Sequence, residues 1–275
     1  MESEKQHRAA GMWVKQCHRS QVRKRHTVVA GVKVLALYDI HGNSDALDAV
    51  LADPCAATPD AVLVGGDAVP GPFAGAVLDR LDSLTVPRYY IRGNGERETA
   101  KAVEATVPPA DDDLAAVTAA ITAAQLGVDR ARALGDLPLT VTLDNVLYCH
   151  ATPRADDEMV TRASAPERYA EVLTSVDAPV VVAGHTHQQD DRELGTIRFV
   201  NAGSVGLPYE GNGAARWLWV VDGVPELRRT EYDAVAAGAR MLAAGWPDHE
   251  SVRAALVDPV APTVVTQLFE ELVRK

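Results

Sequence analysis

The sequence predicts an α/β protein built in layers, and three observations carry that prediction. Short apolar runs rich in β-branched residues recur after residue 32. Ala/Leu-rich segments with helical spacing lie between several of them. Asp, His and Asn residues cluster just where the apolar runs end. With 275 residues, 47% of them hydrophobic, the chain suits one large globular domain, with or without an appended subdomain.

Residues 1–31 are rich in charge, Gln and His and lack periodicity, which predicts a poorly ordered basic leader ahead of a domain spanning 32–275. "RKRHTVVAGVKVLALYD" imitates a secretory signal, but Lys33 interrupts the apolar run, Asp39 ends it, and no small-residue cleavage site follows. Val32 to Tyr38 therefore reads as the first core strand. Further strands are expected in "AVLVGGD", "PRYYIRGN", "VLYCHAT", "PVVVAGHTH", "IRFVNAGS" and "RWLWVVDG". "SDALDAVLAD" and "FAGAVLDRLDSL" read as helices, with Leu47, Val50 and Leu51 on one face. Residues 98–137 form a helical insertion whose Pro and Asp residues suit a helix start, and 232–275 hold two or three C-terminal helices packed outside the sheet.

Charge narrows the function classes. The net charge is −11, and residues 1–33 hold eight Lys/Arg against two Glu, so the remainder carries 19 basic against 36 acidic groups. Such a surface repels a phosphate backbone, which excludes general nucleic-acid binding while leaving small nucleotides open as substrates. Cys17, Cys55 and Cys149 are odd in number and lack C-x-x-C spacing, so neither a disulfide framework nor a thiolate zinc site is indicated, and a reducing cytoplasm fits. Alternation along its strand turns Cys149 away from His150 and into the core, as an inert thiol. No apolar run approaches the roughly 20 residues that span a bilayer.

The strands end on Asp39 and His41, Asp67, Asn94, His150, and His185 with His187. Loops beyond the carboxyl ends of strands in an open α/β sheet converge on one crevice. Seven oxygen and nitrogen donors are too many for one tetrahedral ion and suit Mn, Fe, Zn, Co or Ni rather than soft copper or iron-sulfur chemistry. Two ions about 3.5 to 4 Å apart, bridged by a carboxylate, activate water for in-line displacement at phosphorus. Residues i and i+2 share one face of an extended segment, so His185 and His187 can enter one pocket past Gly184. Singly, each motif also has a plainer reading: "DIHGN" as a tight turn with Asp39 capping the next helix, "GNGE" as a Gly/Asn turn, His150 as a structural histidine.

Taken together, the ordered set D-x-H, G-D, G-N-x-E, H and G-H-x-H resembles the calcineurin-like metallophosphoesterases, and "NAGSVGLP" at 201–208 is similar to a segment of their bacterial phosphodiesterase branch. The resemblance implies a four-layer α-β-β-α sandwich. It implies that Asp39, His41 and His187 hold one divalent ion and Asn94, His150 and His185 the other, with Asp67 bridging; Asp67, Asn94 and His150 are also the expected catalytic residues. Manganese is the expected metal. The implied activity is hydrolysis of a small phosphodiester or phosphomonoester by metal-activated water.

One departure stands out. Many family members carry histidine after the asparagine of the third motif, where it protonates the leaving oxygen, and here that position is Gly95. A positioned acid supplies about 10²- to 10⁴-fold, so either good leaving groups are preferred or Glu96, Tyr209 or water delivers the proton. Arg97, and Arg92 beside it, are candidate phosphate contacts, with Asn94, Asn201 and Ser204 as further substrate-binding candidates. The alternatives are a phosphoprotein phosphatase, which needs a broader groove than a helical insertion leaves, and a metal-binding scaffold of weak activity. An oligomer is compatible with all three.

Overall fold

A computed structural model describes residues 32–273; the expected leader lies outside the described residues. The chain runs β1 Lys33–Leu37, α1 Ser44–Ala52, β2 Ala61–Val64, α2 Ala74–Asp82, β3 Arg88–Tyr90, α3 Asn94–Ala102, α4 Leu114–Leu126, α5 Val128–Gly135, β4 Thr140–Leu143 and β5 Val146–Cys149. It continues with α6 Pro166–Val172, β6 Val180–Ala183, β7 Gln189–Leu194, β8 Ile197–Ala202, β9 Ala215–Val221, β10 Val224–Thr230, α7 Ala234–Ala243, α8 His249–Val252 and α9 Pro262–Val273.

The strands form two five-stranded sheets, ordered β10-β9-β1-β2-β3 and β4-β5-β6-β8-β7. Each sheet contains a parallel run: β1, β2 and the edge strand β3 in one, β5, β6 and β8 in the other. Parallel strands are covered on both faces, so they read as unbroken apolar runs, and "KVLAL", "AVLV" and "VVVA" fit that rule. Alternation then sorts the side chains. Val34, Ala36, Tyr38 and Leu63 of the first sheet meet Val146, Tyr148, Val182 and Val200 of the second in a central layer. Leu35, Leu37, Val62 and Val64 point the other way, onto Leu47, Val77, Leu78 and Leu134 of the helices. On the far side Cys149, Val181, Ala183 and Phe199 pack under Tyr169 and Val172 of α6. The result is the expected four-layer α-β-β-α sandwich.

Three strands escape the sequence reading: β4, β7 and β10. All three are edge strands, and each pairs antiparallel to a single neighbour. An edge strand needs only one apolar face and is protected by charge, so "QDDREL" and "VPELRRT" resemble loops in composition. Asn43, rather than Asp39, caps α1: its Oδ1 accepts from Ala46 N at 3.1 Å, while its Nδ2 donates to Gly206 O at 2.9 Å. Cys149 is fully buried with its thiol pushed up by desolvation, an inert core residue. No helix among the described residues is long and apolar enough to cross a membrane.

Leu63 sits in the central layer with no exposed surface. Leu63→Ala is expected to lower the free energy of unfolding by about 2–5 kcal/mol, through lost burial and the cavity left between two rigid sheets. Chemical denaturation of the two proteins measures this; a change below about 1 kcal/mol would place Leu63 outside the central layer.

Candidate metal centre

The loops leaving β1, β2, β5 and β6 meet at one end of the sandwich, joined by the first turn of α3. The exits of β1 and β2 are laced together by their backbones: Asp39 N donates to Gly66 O at 3.1 Å, His41 N to Asp67 O at 3.0 Å and Gly42 N to Ala68 O at 3.0 Å. This lacing brings side chains from distant positions to within ligand distance. Asp39, His41 and His187 form one group and Asp67, His150 and His185 another, with the ligand atoms of each group within 4.8 Å of one another. The groups adjoin, for Asp67 Oδ2 lies 3.7 Å from His41 Nε2 and 3.5 Å from His150 Nε2. Asn94 is carried between Gly93 and Gly95, and the Gly95 N–H donates to Asp67 Oδ1 at 2.8 Å.

Five of these residues hold left-handed backbone: Asp39 at φ 52°, His41 at 47°, Asp67 at 50°, His185 at 69° and His187 at 57°. Each such conformation costs on the order of 1–3 kcal/mol and persists only where the surroundings over-determine it. The strain turns side chains out of the strand direction and into the crevice. Gly184 permits this on the β6 side, because a Cβ there would come within 2.6 Å of Asp39 Oδ2.

The ring tautomers follow from the acceptors. His41 Nδ1 faces Pro70 O at 3.3 Å, His150 Nδ1 faces Gly65 O at 3.0 Å and His187 Nδ1 faces Leu207 O at 2.7 Å. A carbonyl only accepts, so in all three rings Nδ1 carries a proton, and in each neutral ring Nε2 presents a lone pair. His41 Nε2 and His187 Nε2 then confront each other at 3.1 Å. Two lone pairs at that distance repel unless a shared cation or proton lies against both. Asp39 Oδ1, Asn94 Oδ1 and His150 Nε2 are buried with no hydrogen-bond partner. Buried polar atoms are almost always paired, and these orphans are the donor atoms that divalent cations take. The residues therefore fit a pair of such ions.

Electrostatics agree. Burial disfavours a charged His150, yet Asp67 and Asp39 overcome it and push the imidazole up to about 10. Burial also opposes ionisation of Asp67, but His150, His41 and His185 hold its carboxyl well below the usual range. His185 is pushed down to about 4 by burial and by His150. Such opposite shifts among neighbouring groups are characteristic of functional sites.

The other residues singled out in the sequence are occupied by the protein itself. Arg97 donates from Nε to Asp156 at 2.9 Å, from Nη2 to Asp157 at 2.8 Å and from Nη1 to Glu98, so its guanidinium is tied down rather than left free for phosphate. Arg92 Nε reaches the same Asp156 at 2.9 Å. Asp156 is nearly buried and staples the segment around Asn94 to the loop after His150; nothing in its spacing marks it in the sequence. Asn201 Nδ2 donates to Gly184 O at 2.7 Å, and Ser204 Oγ donates to Asp39 O at 2.7 Å, so both hold the ligand loops.

Neither candidate proton donor is poised to act. Glu96 accepts backbone N–H groups from Asp67 at 2.7 Å, Gly93 at 2.8 Å and Val69 at 3.3 Å. Tyr209 lies flat on the His187 ring, and burial pushes its hydroxyl above the usual range, away from proton donation. Gly95 is required by close approach: a Cβ there would lie 2.2 Å from Val69 O and 2.5 Å from Pro70 Cδ. Gly95→Ala is expected to cost about 1–3 kcal/mol by overpacking, and Gly95→His to destabilise at least as much without restoring a proton donor. Thermal denaturation and steady-state rates check both; a stable, faster Gly95→His enzyme would contradict the packing.

The profile of the calcineurin-like phosphoesterase superfamily domain matches residues 32–220. A metallophosphoesterase from Sphaerobacter thermophilus superposes with a TM-score of 0.66 at 22% identity, covering 83% of this chain and 99% of its own. A hypothetical protein from Pyrococcus horikoshii OT3 gives 0.68 at 18% identity, with the same 83% and 99% coverage. At these identities the two structures establish the fold. No match is found among curated proteins. The chain belongs to the calcineurin-like phosphoesterase superfamily, and its two groups of carboxylates and histidines mark it as a metal-dependent phosphoesterase.

Proposed function

We propose that the protein is a cytoplasmic hydrolase of small phosphodiesters or phosphomonoesters, nucleotides among them, that works with two divalent transition-metal ions, manganese foremost. The observation that carries this reading is the confrontation of His41 Nε2 and His187 Nε2 at 3.1 Å beside the orphaned atoms of Asp39, Asn94 and His150. Asp39, His41 and His187 would hold one ion, Asn94, His150 and His185 the other, and Asp67 would lie between them. When bound, the ions supply Lewis acidity toward the phosphoryl oxygens and lower the pKa of attacking water.

The chain's own residues do the positioning. The carbonyls of Pro70, Gly65 and Leu207 orient three imidazoles, a function that outer partners of metal ligands commonly serve. Glu96 pins three backbone N–H groups of the loops bearing Asp67 and Asn94. Helix α4 leans on the His41 side, where Thr122 Oγ1 accepts from Gly71 N at 3.4 Å, which favours a small substrate over a protein. Gly95 leaves no room for a side-chain acid beside Asn94, and Glu96, whose carboxyl burial and Asp67 push up to about 7, has both oxygens committed to backbone N–H groups. Departing oxygens that need no proton are therefore favoured.

After chelator treatment and addition of Mn²⁺, hydrolysis of bis(p-nitrophenyl) phosphate should be restored. Asp67→Asn should lower kcat/KM by roughly 10³-fold or more, about 4 kcal/mol of transition-state stabilisation. Folded protein that gains no turnover from any of Mn, Fe, Zn, Co or Ni would sink the reading. Across aryl phosphodiesters of rising leaving-group pKa, the rate should fall steeply; a flat dependence would reveal a general acid.

A further inference from the structure

Helix α9 lies beyond the segment matched by the family profile, which ends at residue 220, yet its inner face is joined to one of the metal-centre histidines. The join begins at Gln188, the residue after His187, which is buried with both ends of its amide engaged. Its Nε2 donates to Tyr209 O at 3.1 Å and to Pro262 O at 2.8 Å, and its Oε1 accepts from Thr266 Oγ1 at 2.7 Å and Arg162 Nε at 3.3 Å. A second connection is aromatic. The Tyr209 ring lies on the His187 ring with centroids 5.1 Å apart and planes 15° from parallel. Phe269 of α9 meets Tyr209 edge-on at 6.2 Å and 64°. Glu270, one residue on, accepts from Thr161 and Ser164 and fixes the helix to the loop before α6.

These contacts supply what the ring's own hydrogen bond does not. The Nδ1–H bond to Leu207 O sets the tautomer of His187 and restrains one of its two side-chain torsions. A stacked ring on one face removes the remaining freedom, because rotation of the imidazole would drive it into Tyr209. The direction of Nε2 is thus set by Tyr209, whose backbone is held by its own N–H on His187 O at 3.0 Å and by Gln188, and whose ring is held by Phe269.

We infer that Tyr209, Gln188 and helix α9 are positioning elements for His187: the stack Phe269, Tyr209, His187 aims Nε2 and so sets the affinity of the Asp39, His41 and His187 group for its divalent ion. The inference rests on the two-ion reading above. Outer partners of metal ligands typically contribute about 10- to 100-fold in affinity, and that is the effect expected here.

The test is calorimetric titration of Mn²⁺ into the chelator-treated full chain. Wild type should take up two ions. Tyr209→Leu should weaken one of them about 10- to 100-fold and leave the other within about threefold. Tyr209→Phe keeps the ring and should restore wild-type affinity. Val172→Ala, in the layer over the second sheet, should lower thermal stability and leave both affinities unchanged, which separates aiming of the histidine from general loosening. Wild type binding two ions while folded Tyr209→Leu binds both within twofold of wild type overturns the inference. Should Tyr209→Leu not fold, Phe269→Leu takes its place: several-fold weakening of one ion is the expected result, and unchanged affinity overturns the inference. Wild type that takes up no ion would instead bring down the two-ion reading, and this inference with it.

Discussion

Burial of carboxylates and imidazoles together, held in place by backbone, is the constraint on which the site depends. Asp39 and Asp67 are buried within reach of four imidazoles, and the Nε2 atoms of His41 and His187 face each other at 3.1 Å. Desolvation of so many ionisable groups makes such a cluster costly to assemble. It stays closed because the exits of β1 and β2 are hydrogen-bonded to each other through Asp39, His41 and Gly42, and these strands lie within a sheet packed on both faces. Five left-handed backbone conformations are the cost of that closure. Bound cations would relieve both the desolvation cost and the unpaired acceptors, so affinity for metal and rigidity of the sandwich have a common origin.

Around this centre runs a second layer of hydrogen bonds in which many acceptors serve the donor geometry rather than the substrate. Glu96 gathers backbone N–H groups from three positions, Ser204 grips Asp39 O and accepts from Leu207 N at 2.8 Å, and Asn201 ties Gly184 to Thr186. Asp156 draws Arg92 and Arg97 together across the site. Four residues that chemistry alone would offer to a phosphate, Arg92, Arg97, Asn201 and Ser204, are thereby committed to holding loops. Under the proposed function, the positive charge that would attract an anionic ester to a chain of net charge −11 comes mainly from two bound ions, whose local charge would outweigh two carboxylates.

The absent histidine at position 95 belongs to the same packing. Gly95 N donates to Asp67 Oδ1 while the space beside its Cα is filled by Val69 and Pro70, so a side chain there would conflict with them and with the present position of Asp67. The proposed preference for easily departing groups would then follow from the backbone around Asp67 rather than from one residue alone.

Much of this molecule was legible in its sequence. Continuous apolar runs such as "AVLV" and "VVVA" mark strands covered on both faces, because only burial on two sides removes the alternation that exposure imposes. Asp39, His41, Asp67, Asn94, His150, His185 and His187 stand out because titratable and amide groups seldom end such runs without a purpose. The edge strands β4, β7 and β10 did not stand out, since one partner and one wet face leave little pattern. Only the tertiary structure decided which donors are free: the fate of Arg97, Glu96 and Asn201 depends on Asp156, Gly93 and Gly184, partners distant in sequence or bonded through backbone atoms. Local pattern records burial and period, whereas hydrogen-bond pairing is settled by the three-dimensional meeting of segments. That is why the candidate ligand residues could be picked out from the chain, and why the partners that hold their loops could not.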